Sequence, residues 1–137
     1  MSLVDPETLL DLVPFAKTLG ISVSSAGPHE VMAALPWSPQ LCSVGGVMHG
    51  GALMALADTA GALCAFLNLP EGAATTTIES KTNFFRAITQ GQVQAVARPL
   101  HVGSRTIAVR TELAGADGRL AAHVVQTQAV LPSRGGP

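Results

Sequence analysis

With 137 residues, 47% of them hydrophobic and only 12% charged, the chain has the length of one domain and a composition skewed toward burial. A net charge of −1, with 8 Lys and Arg scattered singly, offers no basic stripe to a nucleic-acid backbone. Two cysteines and four histidines at positions 29, 49, 101 and 123 lack the spacing of a disulfide framework or a zinc site, so no metal is expected.

Asp5 to Leu19 predicts a first helix, with Asp5 as N-cap, Pro6 at the first helical position and Glu7 in the first turn. Pro14 breaks or kinks it, leaving Phe15 to Leu19 as a separate turn ended by Gly20. Acidic residues stand where a signal peptide needs basic ones, so a cytoplasmic location is expected. Ile21 to Ser25 alternates like a strand, Gly27-Pro28 turns, and Glu30 to Leu35 returns before Pro36. Residues 37–48, with Pro39, Gly45 and Gly46, read as an irregular loop into an apolar helix over about 49–67.

Strands follow at about 74–86, 92–101, 105–114 and 119–131. Their turn signals, Gln90-Gly91, Gly103-Ser104 and Asp117-Gly118, predict that successive strands are antiparallel neighbours. Glu79 and Lys81 share a strand face as a surface pair, and the last strand reads as apolar and covered on both faces. The expected organisation is a single domain over 1–137, with an N-terminal helical segment at 1–20 and a loose tail at 132–137. The fold class is α+β: an antiparallel sheet of five to six strands wrapped around one long central helix. The surplus of apolar residues predicts a homo-oligomer, in which a second copy covers part of the surface.

Asp58 is the residue that stands out. It lies in the apolar run Ala52 to Leu67, and an ionised carboxylate without a partner is costly to bury. It is therefore paired, protonated or working. Just before the run, Gly50 and Gly51 allow a sharp turn and leave the first helical amides bare for an anion or a carbonyl oxygen. Eight positions separate Gly50 from Asp58, which predicts that both look out from one side of the helix.

Three stretches carry a family resemblance: Val47-Met-His-Gly-Gly-Ala52 leading to Asp58, Thr77-Ile-Glu-Ser-Lys-Thr-Asn-Phe-Phe-Arg86, and His101-Val-Gly-Ser-Arg-Thr106. With them the chain resembles the hotdog-fold acyl-CoA thioesterases, in the PaaI-like branch of the phenylacetate-degradation type. The resemblance implies hydrolysis of acyl-CoA to free acid and CoA. Asp58 falls on the carboxylate that activates water or attacks the carbonyl, and Gly50 on the residue whose N–H polarises that carbonyl. His49 falls on the histidine that shapes the turn, and Thr77 on a hydroxyl that holds water near the acid. Ser43 stands where relatives carry Asn or Gln.

For the substrate and its CoA portion the resemblance nominates Gly51, Asn83, Arg86, Gly103, Ser104 and Arg105. It implies no cofactor beyond the CoA of the substrate, and a homodimer with shared active sites that pairs into a homotetramer. A hotdog protein that holds acyl-CoA without hydrolysing it is the alternative, supported by the shorter Ser43. A hydratase or dehydratase on the same architecture would want an acid and a histidine placed together, and no clear motif of that kind is present.

Overall fold

The structure, a computed structural model, describes residues 5–133. Two short helices open it, α1 (Pro6–Leu10) and α2 (Pro14–Leu19). Asp5 caps α1 by accepting from the Thr8 amide, and Pro14 begins α2, so the predicted break is real. Gly20 ends α2 with a φ of 90°, a left-handed value that only glycine adopts freely. Strands β1 (Ser22–Ala26) and β2 (Val31–Pro36) form the expected hairpin.

The loop at 37–48 contains two single 3₁₀ turns, Pro39–Leu41 and Val44–Gly46. Gly45 and Gly46 carry positive φ there, and the Trp37 indole donates to the Gly46 carbonyl at 3.0 Å, which pins the loop against the start of the main helix. That helix, α3 (Gly50–Phe66), is followed by β3 (Ala74–Phe84), β4 (Gln92–Val102), β5 (Thr106–Ala114) and β6 (Leu120–Leu131). Among the described residues, no helix is long and apolar enough to cross a membrane. Of the tail expected at 132–137, residues 134–137 lie outside the described region.

All six strands join one antiparallel sheet in the order β1-β2-β4-β5-β6-β3, with α3 packed on it through β2 to β6. This is the expected helix wrapped by a sheet. The predicted pairing of β3 with β4 is corrected: β3 lies at an edge beside β6, while β4 lies between β2 and β5. The segment 85–91 is too long for a tight hairpin and is held elsewhere. Its Phe85 and Arg86 amides donate to the Ala121 carbonyl, and its Ile88 carbonyl accepts from Met48.

Packing buries Leu53, Leu56, Ala57, Ala60, Leu63 and Cys64 of α3 against Leu35, Val93, Val109, Leu113 and Val124 of the sheet. Gly51, Met54, Ala55, Asp58, Ala62 and Phe66 are left partly or wholly open. At 3.6 residues per turn they form one continuous stripe, apolar apart from Asp58. On β6 only the inward face is fully covered. Its outward residues His123, Val125, Thr127 and Ala129 are half-buried, which corrects the expectation that both faces are covered.

A β-bulge decides which residues of β3 face the helix. Thr77 pairs with Gln128 and Glu79 with Thr127, so Ile78 is the extra residue. Before it the half-buried positions are odd, Thr75 and Thr77; after it they are even, Ser80 and Thr82. Glu79 and Lys81 are thereby turned outward, and they form none of the ion pairs among the described residues, so the expected surface pair is not made.

Candidate active site

The edge position of β3 brings its inward hydroxyls against the open stripe of α3. Asp58 Oδ1 accepts from Thr77 Oγ1 at 2.8 Å and from Gln126 Nε2 at 3.0 Å. Gln126 Nε2 also donates to Gln128 Oε1 at 2.9 Å, Thr77 Oγ1 lies 2.6 Å from the same Gln128 oxygen, and Gln128 Nε2 donates to Thr75 Oγ1 at 3.2 Å. Gln126 and Gln128 are fully buried, whereas Asp58 is half-buried. No ion pair among the described residues involves Asp58. Its Oδ2 takes part in none of these bonds, and the carboxylate lines a cavity of about 300 Å³ with Thr77, Ser80, Gly51, Met54, Ala55 and Phe15.

A second cavity touching Asp58, about 360 Å³, runs along α3 toward its C-terminal end. Its walls are mainly apolar: Leu12, Val13, Phe15, Ala62, Leu63 and Phe66. Asp58 thus stands at the wall of both cavities, with the Thr77 and Ser80 hydroxyls at one and the Thr59 and Thr75 hydroxyls among the apolar walls of the other.

At the start of α3, His49 has extended backbone and acts as N-cap, its Nδ1 accepting from the Gly51 amide at 2.7 Å. The Ala52 and Leu53 amides donate to the His49 carbonyl. Three of the first four helical amides are therefore engaged, and the Gly50 N–H is not among them. Phe84 approaches so closely that a Cβ on Gly50 would lie 3.1 Å from its ring, a contact that the half-exposed ring relieves by shifting. Gly50, Ser43, Leu53, Phe84, Phe85 and Arg86 line a separate cavity of about 360 Å³.

Ser43 is exposed and turned back on its own loop, its hydroxyl donating to the Val47 carbonyl at 3.3 Å. The neighbouring Gln40 Oε1 accepts from Ser38. The predicted residues therefore fall into two groups: Asp58, Thr77 and Gly51 at one cavity, Gly50, Ser43 and Arg86 at another. Asn83, exposed and paired with His123, lies six residues beyond Thr77 along β3. The Gly103, Ser104 and Arg105 turn lies toward the opposite end of the sheet, since Thr106 and Thr76 both pair with Ala129.

Sequence reasoning did not single out Gln126, Gln128, Thr75 and Ser80. A signal for the two glutamines was present: they stand two apart on the face of β6 that also carries Ala122, Val124 and Val130, so both had to point into the core. Cys64 lies fully buried on α3, where loss of solvent pushes its thiol up to about 11.

Comparison with known proteins bears on the chemistry. The sequence profile of the thioesterase superfamily matches residues 45–122. Over 103 residues the chain is 35% identical to Rv1847 of Mycobacterium tuberculosis, provisionally described as an esterase, covering 73% of this chain and 74% of the relative. The solved structure of the Haemophilus influenzae thioesterase HI1161 superposes with a TM-score of 0.91 at 26% identity, covering 98% of this chain and 95% of that one. Escherichia coli PaaI, from the phenylacetic acid degradation operon, shares the fold with a TM-score of 0.83 at 22% identity, covering 93% of this chain and 91% of that one.

Proposed function

The chain belongs to the thioesterase superfamily of hotdog fold, and from that premise we propose that it hydrolyses acyl-CoA thioesters to a free acid and CoA. The observation that carries the proposal is Asp58: a half-buried carboxylate at the wall of a cavity, with Oδ1 held by Thr77 and Gln126 and Oδ2 outside those bonds.

In this scheme the free Oδ2 takes a proton from a water as that water attacks the thioester carbon, or attacks the carbon itself to form an anhydride that water then opens. Negative charge gathers on the carbonyl oxygen, where the Gly50 amide donates. One such preorganised donor is worth about 3 to 4 kcal/mol in an acyl-transfer site. The tetrahedral adduct collapses with the C–S bond, and CoA leaves as thiolate to be protonated. Water, a carboxylate and an amide suffice, with no metal or redox group in the sequence of steps.

A second copy completes the site in this reading. Along α3 the backbone positions of Gly50 and Asp58 are about 12 Å apart and the two residues line different cavities, so in this reading one carbonyl is not addressed by both from the same chain. The open apolar stripe around Asp58 and the β3 edge, with Ile78 and Phe84 exposed, supply a surface for a homodimer with shared sites. Such dimers would pair further into a homotetramer. The apolar trough beside Asp58 suits the acyl group, and Arg86, Asn83 and the Gly103–Arg105 turn remain candidates for CoA. Free Cys42 and Cys64 accord with a cytoplasmic setting.

The alternative, acyl-CoA binding without turnover, draws on Ser43, whose hydroxyl is spent on Val47 and brings no amide to the site. One assay separates them: release of free thiol from a panel of benzoyl-, phenylacetyl- and medium-chain acyl-CoA substrates by wild type and Asp58→Asn. Turnover abolished by the substitution, with CoA binding retained, supports the hydrolase. Binding with no thiol release by wild type supports the alternative.

A further inference from the structure

Counting protons in the Asp58 network singles out one residue. Thr77 has one hydroxyl proton but two acceptors within reach, Asp58 Oδ1 at 2.8 Å and Gln128 Oε1 at 2.6 Å, so it serves one at a time. Gln126 has two amide protons and two acceptors, Asp58 Oδ1 and Gln128 Oε1, so it serves both at once. The orientation of its amide is fixed by its neighbours. Asp58 Oδ1 only accepts, so Gln126 presents Nε2 to it and points its own Oε1 the other way.

That oxygen is buried with no hydrogen-bond partner among the described residues, and it lies against Gly61 of α3. A Cβ on residue 61 would run into Gln126 Oε1 and Cδ, so the glycine in the helix interior is the notch through which the glutamine reaches Asp58. Two unfavourable features, a mid-helix glycine and a buried orphan acceptor, are thus retained together at one place, directly behind the carboxylate.

We infer that Gln126 is a positioning residue for Asp58: it holds Oδ1 from behind through the Gly61 notch and so aims Oδ2 into the cavity. The inference rests on Asp58 being the catalytic carboxylate. Misplacing a reacting group by about 1 Å costs on the order of 100-fold in rate, so Gln126→Leu lowers kcat by about 10- to 100-fold with KM within about two-fold. It removes the two bonds of Nε2 along with the orphaned oxygen, so circular dichroism and urea unfolding accompany the kinetics of this variant. Gly61→Ala, which touches neither substrate nor Asp58, lowers kcat in the same direction although alanine favours the helix.

Gln126→Glu gives a readout that a merely structural role would not move. Two carboxylates in contact share a proton, so the acid limb of the kcat profile shifts to higher pH. A folded Gln126→Leu enzyme with kcat within about two-fold of wild type overturns the inference, as does a Gln126→Glu profile that superposes on wild type. If Asp58→Asn is itself fully active, the catalytic reading falls as well; an inactive Asp58→Asn beside an unimpaired Gln126→Leu refutes the positioning role alone.

Discussion

Gly50 and Asp58 stand on the same helix, yet they line different cavities. Eight residues of α-helix advance about 12 Å and rotate the second position by about 80° from the first. Sequence spacing predicted that both would look out from one side, but the axial distance outweighs the shared side: a thioester carbonyl spans little more than an ångström. In the proposed reading the donor and the carboxylate of one chain belong to two half-sites, each completed by another copy.

Gly50→Pro isolates the amide donor. His49 has φ −61° and ψ 137°, the extended conformation that a following proline favours, and position 50 is the first helical residue, where proline is well tolerated. The ring presses on Phe84, a half-exposed side chain that has room to shift. We expect a folded protein whose kcat falls by about 100- to 1000-fold, the usual effect of deleting one oxyanion donor. Steady-state kinetics with circular dichroism checks this; wild-type kcat would remove Gly50 from the chemistry.

His49 caps α3 through its Nδ1, which accepts from the Gly51 amide. His49→Ala should cost about 1 kcal/mol of stability, and His49→Asn, a good N-cap, should recover most of it together with activity. Urea unfolding and turnover of the two variants measure this. Loss of turnover in His49→Asn at wild-type stability would instead assign the imidazole a direct role.

Cys64 gives a pH test. Its folded thiol is raised by burial to about 11 from an ordinary 9.0, so the neutral form is favoured by folding. The stabilisation is full below pH 9 and is lost as pH rises from 9 to 11, by roughly 2 to 3 kcal/mol. Unfolding of wild type and Cys64→Ala between pH 8 and 11 should diverge in slope over that window. Parallel slopes would contradict it.

The elements were legible because each carried local punctuation: Asp5-Pro6 and Pro14 for the helices, Gly20 for their end, Gly-containing turns for β4 to β6. What the sequence concealed depends on non-local pairing. Nothing local tells that β3 crosses to β6, because that is decided by how 85–91 docks on Ala121 and Met48. Nor does the alternation of β3 announce its bulge, which turns Ser80 inward and Glu79 outward. Type, spacing and the resemblance made Asp58, Gly50 and His49 candidates; the hydrogen-bonded backing of Asp58 was not legible, because Gln126 and Gln128 come 68 and 70 positions later and meet it only through the sheet.

Mixing two inactive variants tests the division of the site most directly. In a two-fold dimer of Asp58→Asn with Gly50→Pro, a site built across chains leaves one site with both defects and the other with none, so refolding an equal mixture restores about a quarter of wild-type activity. Recovery at that level, against no activity in either variant alone, is the predicted result. A mixture as inactive as its components, with mixed dimers demonstrated by mass spectrometry, would show that donor and carboxylate do not combine across chains and would contradict the account.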